Sequence, residues 1–171
     1  MPARAPVGAT HSRDIHHTNR DYASLLQKPE GGNLRKGRVA IAGQTYLITT
    51  VTQYRRPVFA DFHAARLVVR ALIFEQRRMT ADTLAYVVMP DHLHWLLTLG
   101  QSKSLSQLVQ AVKAASAKQI GNPVWQAGFH DHAVRQEEEL KNLARYIIAN
   151  PLRAGLVERI GDYPHWDAIW F

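Results

Sequence analysis

Two histidines one residue apart, His92-Leu93-His94, open the apolar run His92 to Leu99, and a tyrosine, Tyr146, follows later in an amphipathic stretch. Successive side chains of a strand leave on opposite faces, so both imidazoles project to one side of a sheet while Leu93 and Trp95 project to the other. That is a two-histidine clamp for a metal ion. A tyrosine brought beside it can attack a phosphodiester whose oxygens the metal polarises, which points to DNA strand cleavage through a covalent tyrosyl intermediate. A phenol with a reference pKa of about 10 is mostly protonated at neutral pH; a nearby cation either lowers that pKa or stabilises the pentacoordinate phosphate. Attack by Tyr146 would leave a 5′-phosphotyrosine and a free 3′-OH, and reversal by another 3′-OH would rejoin strands without ATP. The general base stays open at this level. His130 and His132 are candidates, with a packed or surface role on a short strand as the plainer reading of each.

The elements that must position these groups are legible from periodicity. Thr45 to Thr52 alternates β-branched and aromatic residues as a strand does, and Arg55-Arg56-Pro57 ends it. Asp61 to Met79 has the pattern of a helix, with Arg66, Arg70 and Arg77 within about 40° of one another as a basic stripe. Water and a nucleic acid are the two partners such a stripe suits. Thr83 to Met89 and His92 to Leu99 are strands joined by the turn pair Pro90-Asp91, which places His92 just past a hairpin. Ser104 and Gln107 form a capping box for a helix to Ile120, whose polar side is expected to carry Gln110, Lys113 and Lys118. A short strand over Asp131 to Arg135 precedes a helix from Gln136 to Asn150, on which Asn142, Tyr146 and Asn150 share a face. The order βαββαβ plus one helix predicts a ferredoxin-like α+β fold: a four-stranded antiparallel sheet, two helices on one face, and the other face open to a ligand, the extra helix, or both.

Composition sets the outer bounds. With 171 residues, 46% of them hydrophobic, the chain can bury one proper core, expected over residues 34–171 behind a flexible extension over 1–33. That extension carries His11, His16 and His17, best read as solvated tail residues. The absence of cysteine rules out disulfides and thiolate metal sites, so a metal here binds through N and O. The longest apolar stretch, Leu67 to Phe74, is broken by Arg70, and a cytoplasmic, nucleoid-associated protein without a membrane partner is expected. The net charge of +7 favours a polyanionic partner, and it is unevenly spread: residues 1–80 hold 13 basic against 5 acidic residues, whereas 81–171 hold 8 against 9. Arg35, Lys36, Arg38, Arg55, Arg56, Lys113, Lys118 and Arg153 are the expected DNA contacts.

Three ordered strings carry a resemblance: Met89-Pro90-Asp91-His92-Leu93-His94-Trp95-Leu96, then Trp125-Gln126 with Phe129-His130-Asp131-His132, then Tyr146-Ile147-Ile148-Ala149-Asn150-Pro151-Leu152-Arg153-Ala154-Gly155-Leu156-Val157. Over residues 35–170 the chain resembles the REP-associated tyrosine transposases, within the single-tyrosine transposases that share a His-hydrophobic-His motif. The resemblance implies a Mg2+ or Mn2+ ion held by His92 and His94, with Asn150 at the position of the third ligand and Tyr146 as nucleophile. It also implies hairpin-bearing single-stranded DNA as substrate, for a monomer or a homodimer. Asp91 stands where Asn is frequent in the family, adding a carboxylate near the metal. The main alternative is a nucleic-acid-binding module of the same fold without catalysis, yet the glycine- and aromatic-rich signature of RNA-recognition sheets is missing from the strands. A zinc hydrolase of the barrel type needs about 250 residues and further His or Asp ligands. A purely structural role leaves the pairing of Tyr146 with Asn150 unexplained.

Overall fold

The computed structural model describes residues 40–134 and 137–171, so Arg35, Lys36, Arg38 and the expected extension lie outside the described residues. Strand β1 (Thr45–Val51) is followed by two short 3-10 turns, helix α1 (Phe62–Arg77), strands β2 (Ala81–Met89) and β3 (His92–Leu99), helix α2 (Leu105–Ile120), strand β4 (His130–Val134) and helix α3 (Glu137–Ile148). A four-residue helix α4 (Asn150–Arg153), one more 3-10 turn and strand β5 (Trp166–Ala168) complete the order. All strand pairings are antiparallel, in the order β4-β1-β3-β2-β5. The first four strands have the ferredoxin-like arrangement expected. The fifth was not anticipated: it adds to the free edge of β2, pairing Val87 with Trp166 and Ala85 with Ala168.

Local signals set most boundaries. Asp61 caps α1 by accepting from the Ala64 amide at 2.8 Å. The capping box at Ser104 and Gln107 is formed in both directions, and Gly121 ends α2 in the left-handed conformation its φ of 82° requires. In β2 the pairing with β3 slips between Thr83 and Ala85, a bulge that inserts one residue and inverts the inward and outward alternation. The strand therefore begins two residues before the place that simple alternation indicates.

The sheet is buried on both faces. Toward α1 and α2 it contributes Tyr46, Ile48, Tyr86, Val88, Leu93, Trp95 and Leu97, which pack on Ala65, Val68, Leu72, Leu108 and Val112. Trp95 is 1% exposed, with its indole N–H donated to the Thr83 hydroxyl at 3.1 Å. Toward α3 it contributes Leu47, Ala85, Val87, Met89 and Leu96, which pack on Leu143, Ala144, Ile147 and Ile148. The second sheet face thus holds the additional helix, and that helix brings Tyr146 to the sheet.

One expected surface residue turns inward. Lys113 is buried, and its ammonium donates to the carbonyls of Gln126 at 2.6 Å and Gly128 at 2.7 Å. This corrects its assignment to the water-facing side of α2. Its aliphatic stem lies in the core while the charge fastens the loop that leads into β4.

Candidate active site

The hairpin turn Pro90-Asp91 closes a register in which Met89 faces His92 and Val87 faces His94, so His92 and His94 leave β3 on the α3 side at the hairpin end. Their ring centroids are 4.7 Å apart at 78°. Each ring is held through Nδ1. His92 Nδ1 pairs with Asp91 Oδ1 at 2.5 Å, and His94 Nδ1 pairs with the Thr49 hydroxyl at 2.9 Å across the β1–β3 ladder. A carboxylate can only accept, so His92 carries its proton on Nδ1 and presents Nε2 as a lone-pair donor. Asp91 is fixed in turn by Arg55, whose Nη1 donates to Oδ2 at 3.0 Å.

Electrostatics keep both imidazoles neutral. Burial holds His94 well below the usual imidazole range, and His92, Arg153 and Arg55 push the same way. Burial also lowers His92, against the opposing pull of Asp91. Burial pushes the Asp91 carboxyl up, but the His92 hydrogen bond and charge and then the Arg55 guanidinium outweigh it and leave it below the ordinary carboxylate range. A metal binds only the neutral ring, so these shifts favour the ligand form.

Tyr146 is half-buried and packs against the second core. Helix α3 stops at Ile148, but the chain does not straighten at Pro151, as a terminating proline would suggest. Pro151 occupies the start of α4, where its missing N–H is harmless, and the short helix returns Arg153 over Tyr146. The Arg153 guanidinium lies 3.8 Å from the centre of the Tyr146 ring. Its Nη2 donates to the Tyr146 carbonyl at 2.7 Å and to Asn150 Oδ1 at 2.8 Å. The Asn150 amide nitrogen donates to the Ile147 carbonyl at 2.8 Å. Arg153 is also among the charges that bear on His94, so the histidine pair and the tyrosine helix share one electrostatic neighbourhood.

These residues fit a divalent cation bound through nitrogen and oxygen. Both Nδ1 atoms are engaged, one by a carboxylate and one by a hydroxyl, the kind of orienting partner that metal-binding histidines usually have, so His92 and His94 would hold such an ion through Nε2. No group of three His, Cys, Asp or Glu gathers among the described residues. Asn150 Oδ1 accepts from Arg153, and its second lone pair is not used by that bond.

The remaining expected contacts divide. Arg55, Arg56 and Lys118 are exposed, with Arg56 Nη2 donating to the Pro123 carbonyl at 3.2 Å. Arg70 and Arg77 face water and Arg66 is half-buried. His130 and His132 lie on β4, the edge strand beside β1, at register with Thr49 and Leu47. Thr49 went unnoticed in the sequence because its link to His94 exists only through strand register. The role of Arg153 was signalled by its spacings to Tyr146 and Asn150, had a helix been assumed to continue through the proline.

Comparison with known proteins meets this geometry. Residues 40–150 match the family described as "Transposase IS200 like". The chain belongs to that family. It is 27% identical to the REP-associated tyrosine transposase of Escherichia coli (strain K12) over 129 residues, covering 74% of this chain and 78% of that one. A putative REP-associated tyrosine transposase of Haemophilus influenzae is 26% identical over 100 residues, covering 49% of this chain and 57% of the other. Among solved structures, the REP-associated tyrosine transposase bound to a REP hairpin superposes with a TM-score of 0.66 at 27% identity, covering 75% of this chain and 79% of that one. The resemblance seen in the three sequence strings therefore extends to the fold. Among the described residues no helix is long and apolar enough to cross a membrane.

Proposed function

We propose that this transposase-family chain is a metal-dependent endonuclease and strand transferase that cuts single-stranded DNA beside a hairpin, with Tyr146 as nucleophile and His92, His94 and Asn150 as ligands of Mg2+ or Mn2+. The observation that carries the reading is that two imidazoles held through Nδ1 stand on the sheet face that the tyrosine helix packs, with Arg153 over the Tyr146 ring and among the charges that bear on His94. The relative bound to a REP hairpin supports the substrate class.

When bound, the cation would supply Lewis-acid stabilisation of charge on the scissile phosphate. The protein's own groups do the rest. Tyr146 Oη forms a bond to phosphorus and gives up its proton, the bond from phosphorus to the 3′ oxygen breaks, and that oxygen takes a proton to become a free 3′-OH. The 5′ end stays on the tyrosine until a 3′-OH attacks in the reverse sense. Arg153 holds positive charge against the phenol ring, a contact worth roughly 0.5–2 kcal/mol that grows as the phenol gains negative charge. Arg55 and Asp91 keep His92 oriented. The exposed Arg55, Arg56, Lys118 and Arg153, together with Arg35, Lys36 and Arg38, supply positive charge for the backbone.

Incubating the protein with a labelled hairpin oligonucleotide, with Mg2+, with Mn2+ and with chelator, tests the reading. Cleavage at one position that requires either ion is expected. Cleavage that persists in chelator, or that zinc alone restores, would overturn it.

A further inference from the structure

Between β1 and α1 the backbone does something the fold alone does not require. Tyr54 and Arg55 both adopt positive φ, 56° and 51°. That left-handed region disfavours side chains with a Cβ, and two successive bulky residues there is a rare conformation. Met79 has a similar φ of 54°, but it directly follows the last turn of α1, where a left-handed residue is the ordinary way to end a helix. Tyr54 has no helix to terminate.

The strained turn is fixed from both sides. The Thr52 hydroxyl donates to the carbonyls of Arg56 at 2.7 Å and Asp91 at 3.1 Å, the Gln53 amide donates to the Val124 carbonyl at 2.8 Å, and Arg56 reaches Pro123. Strain held so firmly is typical of a functional position. The result of this scaffolding is an aromatic ring presented to water: Tyr54 is 92% exposed, a high value for a tyrosine. Arg55 and Arg56 stand directly after it, and Arg55 connects the turn to His92 through Asp91. A rigidly held exposed ring, beside two cations and one link from the histidine pair, has the chemistry of a stacking platform for a base that has left its helix.

Resting on the proposed function, we propose that Tyr54 stacks on one unpaired nucleobase of the strand that joins the hairpin to the cleavage site. Stacking tolerates any base, so this contact adds affinity for the unpaired flank and leaves recognition of the paired stem to other groups. It is a binding residue; the cleavage step itself does not use its hydroxyl.

The test compares a fluorescent hairpin carrying single-stranded flanks with the same hairpin trimmed blunt, by anisotropy at one salt concentration. Tyr54→Ala should weaken binding of the flanked hairpin by roughly 5- to 150-fold, the range for losing one base stack, and leave the blunt hairpin unchanged. Tyr54→Trp and Tyr54→Phe should bind as the native chain does. Tyr54→Gly should lose the same affinity while unfolding at a higher temperature, because glycine accepts the positive φ, and this opposite pair of changes separates lost stacking from lost folding. An abasic site walked along the flanks of the native complex should weaken binding at one position and have no further effect there in Tyr54→Ala. Native affinity of Tyr54→Ala for the flanked hairpin, or equal losses on flanked and blunt DNA, would overturn this assignment while leaving the cleavage reading intact. A native chain that binds neither hairpin would overturn both.

Discussion

Strand β3 serves two different interiors with alternate residues. Its Leu93, Trp95 and Leu97 enter a core closed by α1 and α2, where Trp95 and its neighbours are almost wholly removed from water. Its His92 and His94 enter the opposite face at the hairpin end, followed on that face by Leu96, which packs into the second core. The first face is finished by packing; the second is finished by hydrogen bonds to Asp91 and Thr49 and by the approach of α3 and Arg153. A strand with period two therefore lets stability and chemistry be varied almost independently, one residue apart.

The largest effect that sharpens this contrast comes from exchanging neighbours. His94→Ala should bring hairpin cleavage below detection in Mg2+ or Mn2+ while the protein still unfolds cooperatively, and chelator should do the same to the native chain; a circular-dichroism melt beside a cleavage gel reads both. Trp95→Ala should do the reverse. It removes a fully buried indole at a cost of about 3–5 kcal/mol, seen as a lower urea midpoint, yet any folded fraction should still cleave. Equal loss of cleavage per folded molecule in the two variants would break the division between the faces.

The contrast also explains what the sequence disclosed and what it did not. The hairpin, the shared face of the two histidines and the capping box of α2 are local, so residue type and spacing were enough to find them. The fifth strand is three residues long and lacks alternation; it exists because the free edge of β2 accepts its backbone. Lys113 sits at a polar position by composition, but the carbonyls that neutralise its burial come from a loop beyond the end of its helix. The Thr49 partner of His94 depends on a register between strands 45 residues apart. Long-range pairing, rather than periodicity, decides each of these.

Smaller effects probe the edges of the site. Arg153→Ala should slow cleavage about tenfold or more with little change in stability. Arg153→Lys should recover only part of the rate, because a point charge does not reproduce the planar contact with the Tyr146 ring and the donation to Asn150. Single-turnover cleavage at saturating protein separates this from weaker DNA binding, and equal rates for native and Arg153→Ala would remove Arg153 from the chemistry.

The smallest expected effect lies on the packed side. His165 is buried against Phe62 and Tyr163, its Nδ1 has no hydrogen-bond partner, and burial, followed by the charge of Arg66, holds its pKa below the ordinary imidazole value. The unfolded chain binds a proton at this residue as pH falls through about 6.5, whereas the folded chain resists it, so stability should decline on that acid side. His165→Gln should show a smaller drop in melting temperature between pH 7.5 and pH 5 than the native protein. Identical drops would mean that other groups carry the acid sensitivity.

The central claim concerns Tyr146, and a covalent adduct tests it most directly. Hairpin DNA labelled on the 3′ side of the cut should migrate with the denatured protein after reaction in Mg2+ or Mn2+, and peptide mapping should locate the nucleotide on Tyr146. Tyr146→Phe, which removes one hydroxyl, should still bind the hairpin and form no adduct. An adduct of native yield in Tyr146→Phe, or cleavage by the native chain with no adduct at any time, would contradict the account.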